Sequence, residues 1–250
     1  MDYLISCSIC EEKLLQGILG SSTEFKNFYE TERSKIKSPL IWLQNDKLRQ
    51  EDQISQGRLA NLGELSTGYV AITVHNNPAE LSDATTVAHE LAHAIIREEG
   101  FPFIGPYPEC RDSSVINLAF SLNNMIHDPL VIIKLLKSGF VLREEYENEC
   151  LDAIRKNNIG NKYSGINSIV FTLFYVQQLL ENELLFSDSE NHCTKLIEKI
   201  EELYPANIAK GKQIFEFIRS NGFNSPDKVR QIYEKIFDIY PGIRDLTVIC

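Results

Sequence analysis

The sequence predicts an α+β fold in which a small twisted sheet packs on one central helix and a mainly helical lobe follows. Two β-branched, apolar segments precede a helix with clear end signals, and most of the chain after Gly139 has helical apolar spacing. Helices and strands do not alternate along the chain, which argues against a βαβ arrangement. We expect one lobe over residues 1–140 and a helical lobe over residues 141–250.

The first elements are two helices and two strands. Residues 9–35 predict a helical region in two pieces, which break at residues 20–22 (GSS). Residues 38–45 (SPLIWLQN) predict a strand, and Thr67–His75 (TGYVAITVH) predicts another because β-branched and aromatic residues dominate it. Residues 54–65 carry two glycines and fit either a twisted strand or a loop.

The central helix lies in the stretch SDATTVAHELAHAIIREEGFP. Ser82 or Asp83 is suited to accept hydrogen bonds from its first amides. Gly100 can adopt the left-handed conformation that ends a helix, and Pro102 cannot continue one. The sequence therefore predicts a helix of about four turns between these signals.

The rest of the chain is predicted to be helical. A long helical pattern over residues 113–140 contains Pro129, which is expected to kink or split the helix. The segment Ile166–Phe186 is the most apolar, but its glutamines and glutamates favour a buried helix over a membrane span. The predicted C-terminal helices cover residues 143–158, 166–186, 190–204, 207–222 and 225–241.

Composition and charge exclude several classes of partner. The chain has 250 residues, is 43% hydrophobic and carries a formal net charge of −10. Such a charge repels phosphate, so we expect neither nucleic-acid binding nor adhesion to anionic membranes. The first residues lack the basic region of a secretory signal. The six scattered cysteines are therefore expected to be free thiols in a soluble, cytoplasmic protein.

Two of the five histidines stand four residues apart within the central helix. On a helix, His89 and His93 project from the same face about one turn apart, which suits a tetrahedral metal. Glu90 is offset by one residue and can reach a water molecule bound to that metal. Zinc lowers the pKa of a bound water molecule towards 7. Apart from Glu90, no charged residue lies between Thr85 and Ile96, which is typical of a buried helix.

The segment TTVAHELAHAII, Thr85–Ile96, resembles the active-site helix of the zincin metallopeptidases. The resemblance implies a Zn²⁺ ion held by His89 and His93, with Glu90 as general base and proton shuttle. It also implies that the strand Thr67–His75 lies along the cleft and pairs with a substrate in extended conformation. Residues 1–140 would then form a zincin-like catalytic lobe.

The third metal ligand departs from the known zincin patterns. The third histidine of metzincins is absent, and the glutamate that gluzincins supply from a second helix is missing in its usual form. The segment NNMIHDP offers His127 and Asp128, and Asn124 and Asp128 have the spacing of the gluzincin pair. We choose His127 as the ligand and Asp128 as a residue that orients a ligand histidine, or as the ligand itself. Glu109 and Asp112 remain alternatives.

These observations predict a zinc-dependent hydrolase, most simply a metallopeptidase acting on peptides or proteins. One alternative is a zincin-like binding or regulatory protein without catalytic activity, which the irregular third ligand favours. Another is a metal-dependent hydrolase of a non-peptide substrate. A digestion assay on a mixed peptide pool separates the three.

Overall fold

The computed structural model describes residues 10–44, 70–74, 78–107, 109–155, 163–186 and 191–250. Within these ranges the chain is mainly helical, and its strands form two separate two-stranded sheets. The predicted α+β class with a twisted sheet packed on the central helix is therefore wrong. Two strands are too few to form an independent layer, whereas the helices supply most of the buried surface. The ambiguous segment 54–65 lies outside the described residues.

The chain divides into two compact units, Met1–Glu99 with Lys134–Phe140, and Gly100–Ile133 with Val141–Cys250. The described elements of the first unit are α1 (Glu11–Ser21), α2 (Thr23–Glu32), β1 (Leu40–Gln44), β2 (Val70–Val74) and α3 (Ala84–Glu98). Those that follow are β3 (Ile104–Pro106), α4 (Ser113–Lys137), α5 (Arg143–Arg155), α6 (Gly165–Leu185), α7 (His192–Leu203), α8 (Pro205–Asn221), α9 (Pro226–Ile239) and β4 (Thr247–Ile249). They belong to the second unit, except that the last turn of α4 is part of the first.

The break between α1 and α2 falls at Ser22, as predicted. Ser22 leaves the helical conformation, and its Oγ accepts a hydrogen bond from the backbone N–H of Phe25 at 3.1 Å. This side-chain bond satisfies an amide that the first turn of α2 would otherwise leave without a partner. Both helices bury apolar faces within the first unit: Leu14, Leu15, Ile18, Phe25 and Phe28.

The predicted strands are confirmed where the structure describes them. β1 and β2 pair in parallel, with Leu40 opposite Val70 and Gln44 opposite Val74. Trp42 and Ile72 face each other in this register, and each is only 1% exposed. A parallel pair is usually covered on its faces, which fits the burial of these two side chains.

The five predicted C-terminal helices are confirmed as α5 to α9. Pro226 occupies the first turn of α9, as predicted, although the side chain of Ser225 forms no capping hydrogen bond. α9 buries Val229, Ile232, Tyr233 and Ile236, the spacing of one helical face.

α4 continues through Pro129 as one helix, so of the two predicted outcomes, a kink or a split, the split is wrong. The proline ring lies within a buried stripe, where the packing of the face offsets the loss of one backbone hydrogen bond. The apolar stripe that the sequence predicts is confirmed, because all its members are buried: Val115, Ala119, Leu122, Ile126 and Pro129.

The expectation of free thiols is wrong for one pair of cysteines. Cys150 on α5 and Cys193 on α7 form a disulfide, with their Cα atoms 5.1 Å apart. Cys10, Cys110 and Cys250 are free. Among the helices that the structure describes, none has both the length and the apolar character needed to cross a bilayer.

Candidate metal centre

α3 carries the His-Glu-x-x-His residues and is preceded by a short 3-10 turn, Leu81–Asp83. The carboxylate of Asp83 accepts a hydrogen bond from the backbone N–H of Glu80 at 2.7 Å and does not cap the first amides of α3. Of the two predicted capping residues, Ser82 and Asp83, Asp83 occupies the cap position of α3, but its side chain bonds within the preceding turn and forms no capping hydrogen bond to the helix. Gly100 has φ +82°, so the predicted left-handed end of the helix is confirmed.

The C-terminal end of α3 is fixed by two acidic residues. Glu98 Oε1 accepts a hydrogen bond from the backbone N–H of Ser38 at 2.8 Å, and Glu99 Oε1 lies 2.8 Å from Lys134 Nζ. Burial opposes ionisation of Glu98, but the Ser38 hydrogen bonds hold the pKa of its carboxyl below the ordinary value. These contacts are needed because acidic groups at a helix C-terminus are repelled by the helix dipole.

The two imidazoles of α3 converge on one point. His89 Nε2 and His93 Nε2 lie 3.0 Å apart, and the ring centroids are 4.7 Å apart with the planes at 68°. At this distance the Nε2 atom of one ring can donate a hydrogen bond to the Nε2 atom of the other. Both rings are half-buried, whereas Glu90 between them is 7% exposed.

The residue set fits a metal ion. Two nitrogen ligands of tetrahedral zinc lie about 3.4 Å apart, so a small rotation of the rings would open the 3.0 Å contact enough. The ligand atoms of His89, Glu90 and His93 all lie within 4.8 Å of one another. Within the part of the chain that is described, this is the group of metal-binding side chains that could hold an ion. Imidazole binds several transition metals, so the residues alone leave the identity of the metal open.

Comparisons with known proteins add no relative. The chain matches no protein-family model, no curated protein and no solved structure.

His127, the predicted third ligand, lies on the part of α4 that belongs to the second unit. Its Nε2 lies 3.0 Å from the carbonyl oxygen of Pro102, so this nitrogen donates a hydrogen bond. The hydroxyl of Tyr233 lies 3.5 Å from the same nitrogen, and burial raises the pKa of this phenol well above its usual value.

Asp128, the alternative third ligand, belongs to a buried polar network. Gln177 Nε2 donates to Asp128 Oδ2 at 2.9 Å and to Glu181 Oε1 at 2.8 Å, and Gln178 Nε2 donates to Glu181 Oε2 at 3.0 Å. Burial, and next the charge of Asp128, raise the pKa of Glu181 to about 8, although both glutamines oppose the shift. Asp128 therefore lies beside a carboxyl group that resists ionisation.

The remaining residues singled out in the sequence have ordinary surroundings or lie outside the description. Asp112 accepts hydrogen bonds from the backbone and hydroxyl of Ser114 at the start of α4. The backbone N–H of His192 lies 3.4 Å from a carboxylate oxygen of Glu147. His75 is outside the described residues.

Asn123 has a positioning role that sequence reasoning missed. Its side chain accepts a hydrogen bond from Ile104 N at 2.7 Å and donates one to Ile104 O at 2.9 Å, which holds β3 against α4. The available signal was its spacing: Asn123 stands four residues before His127, so both project from the same face of α4. His127 fixes Pro102 in the same way.

Proposed function

We propose that the chain is a zinc-dependent hydrolase, and most simply a metallopeptidase. His89 and His93 hold the metal, and Glu90 acts on the attacking water. The single observation that supports this best is the 3.0 Å approach of the two Nε2 atoms with the carboxylate of Glu90 beside them. Glu90 is 7% exposed and lies on the same helix as both histidines.

Each residue has a separate task in the proposed reaction. The imidazoles supply neutral nitrogen ligands and stay in place because α3 is packed on its apolar side. Bound zinc would supply Lewis acidity at the carbonyl under attack. Glu90 accepts the proton from the attacking water and then donates it to the leaving amine.

Elemental analysis of the purified chain tests the metal site. We expect about one zinc per chain in the wild type and much less in His89→Ala and His93→Ala, because each variant removes one of the two converging nitrogens. His192→Ala is the matched control, since it removes a histidine that shows no metal spacing. Full zinc content in either of the first two variants would place the site elsewhere.

Glu90→Gln tests catalysis separately from metal binding. The variant keeps nearly the same shape, so it should fold and retain zinc, but it should lose roughly 10²–10⁴-fold in hydrolysis of a mixed peptide pool because it cannot take a proton. Equal activity of the variant and the wild type removes Glu90 from the mechanism. A zinc-loaded wild type without activity on peptides favours the binding protein or the non-peptide hydrolase instead.

A further inference from the structure

α5 is a polar helix with one buried residue, Cys150. Its outer face exposes Glu144, Asn148 and Asp152 to solvent. Its larger apolar side chains, Tyr146, Leu151 and Ile154, are only half-buried, so they stabilise α5 less than a fully buried face would. The disulfide from Cys150 to Cys193 adds a covalent link between α5 and α7.

Each sulphur of this disulfide lies beside an oxygen that can accept a hydrogen bond. Cys150 Sγ is 3.5 Å from Gln178 Oε1, and Cys193 Sγ is 3.6 Å from the carbonyl oxygen of Tyr146. A disulfide sulphur has no hydrogen to donate, whereas a thiol has one. Both acceptors are therefore already in place for the reduced form, which can remain folded with its buried thiols satisfied.

The environment of Cys150 continues into the polar network of α6. The Oε1 atom of Gln178 lies 3.5 Å from Cys150 Sγ, and the Nε2 atom of Gln178 donates to Glu181. Reduction would engage both ends of the Gln178 amide, whereas the disulfide leaves Oε1 without a hydrogen from the sulphur. Gln177 is the matched neighbour, because its Nε2 also donates to Glu181 but its other hydrogen bond goes to Asp128.

We propose that Cys150–Cys193 is a redox-reversible crosslink that fastens α5 and opens without unfolding of the second unit. A dithiol reductant supplies two electrons and two protons: the S–S bond breaks, two S–H groups form, and the reductant becomes a cyclic disulfide. In the reverse direction the cyclic disulfide takes up two electrons and two protons from the protein thiols and leaves as the dithiol, while the S–S bond of the protein forms. Local opening of α5 gives the reagent access to the buried sulphurs.

Equilibration of the full-length chain in buffers of reduced and oxidised dithiothreitol tests the proposal. After an acid quench, maleimide labelling and peptide mass spectrometry count the free thiols. Cys150 and Cys193 should become labelled together as the buffer becomes more reducing, whereas Cys10 and Cys110 should be labelled throughout. The far-UV circular dichroism should stay nearly constant.

Hydrogen exchange then locates the change. Reduction should accelerate amide exchange in α5 and leave α9 unchanged, and it should lower the Tm by about 5–15 °C through loss of the crosslink. A double variant, Cys150→Ser with Cys193→Ser, should show the fast exchange in both buffers. The proposal is overturned if no disulfide forms in any buffer, or if it opens only where α9 also exchanges fast.

A pair of glutamine variants tests the role of the thiol acceptor. Gln178→Leu removes the acceptor of the Cys150 thiol and should shift the equilibrium towards the disulfide by about 2- to 10-fold. Gln177→Leu also removes a hydrogen bond to Glu181, but it should shift the equilibrium less than twofold. Equal shifts in both variants, or no shift in Gln178→Leu, would remove Gln178 from the switch.

Discussion

At the scale of single residues, the sequence predicted which residues share a face of one helix, but it did not predict the contacts between helices. The i, i+4 spacing predicts that His89 and His93 share a face, and the structure brings their Nε2 atoms to 3.0 Å. The same periodicity could not choose between His127 and Asp128. Their partners, Pro102 and Gln177, come from segments whose position depends on tertiary packing.

Two variants on α4 test the third ligand. If His127 is the ligand, His127→Ala should weaken zinc binding more than Asp128→Asn, because loss of an orienting residue typically costs about 10–100-fold. Titration against a competing chelator measures the ranking. Asn124→Ala is the control, since Asn124 is an exposed residue of the same helix.

The opposite ranking would make Asp128 the ligand, and no effect from either variant would move the search to Glu109 and Asp112. His127→Ala also removes the hydrogen bond to Pro102. The Tm of the metal-free variants must therefore be measured beside the affinity, so that a loss of folding is not read as a loss of ligand.

Glu181 should make the stability of the second unit depend on pH. Its folded-state pKa is raised to about 8, chiefly by burial, whereas an unfolded glutamate titrates near about 4.3. Between these values the folded state binds more protons, so stability should fall as the pH rises from about 4.5 to 8 and then level off. The slope would approach about 1.4 kcal/mol per pH unit.

Denaturant unfolding of the metal-free protein across this range measures the effect. Glu181→Gln should flatten the curve, whereas Glu198→Gln, a change at an exposed residue of α7, should leave it unchanged. A wild-type stability that rises steadily from pH 4.5 to 8 would contradict the assignment to Glu181.

At the scale of elements, local chemistry predicted most helices and strands, and the errors lie where side chains have competing partners. The predicted helix break at Ser22 and the predicted helix end at Gly100 are confirmed, because both depend on the neighbouring backbone alone. The predicted capping hydrogen bond of Asp83 is not formed, because the carboxylate accepts a hydrogen bond from the backbone N–H of Glu80 instead. Pro129 was expected to kink or split α4, and the buried stripe around it keeps the helix continuous, so it does not split.

The packing of α6 against α8 depends on a glycine. A Cβ on Gly211 would lie 2.6 Å from Cδ1 of Tyr175, whose ring is fully buried and whose hydroxyl donates to Glu201 at 2.6 Å. Gly211→Ala should therefore destabilise the protein by about 1–3 kcal/mol, despite the better helix propensity of alanine. Chemical denaturation measures the change.

Gly20→Ala is the matched control, since the same substitution in α1 meets nothing within 4 Å. It should leave the stability unchanged or raise it by about 0.5–1 kcal/mol. A Gly211→Ala protein as stable as Gly20→Ala would show that Tyr175 can move aside.

At the scale of the whole molecule, the fold class was wrong although its elements were largely right. The resemblance of Thr85–Ile96 to zincins implied a strand along a cleft beside the helix, but a twelve-residue motif does not determine what surrounds it. The helical patterns after Gly139 were stronger evidence, and they dominate the described structure. The disulfide was missed because 43 residues separate its cysteines, and pairing at that separation depends on the packing of α5 and α7.

The burial of Trp42 on β1 has a spectroscopic consequence. Trp42 is the only tryptophan of the chain, it is 1% exposed, and it belongs to the first unit. Its fluorescence under selective excitation therefore reports on the unit that carries His89 and His93, while circular dichroism is weighted towards the helices of the second unit. Comparison of the two signals in one denaturant titration reveals whether the units lose their structure together or one after the other.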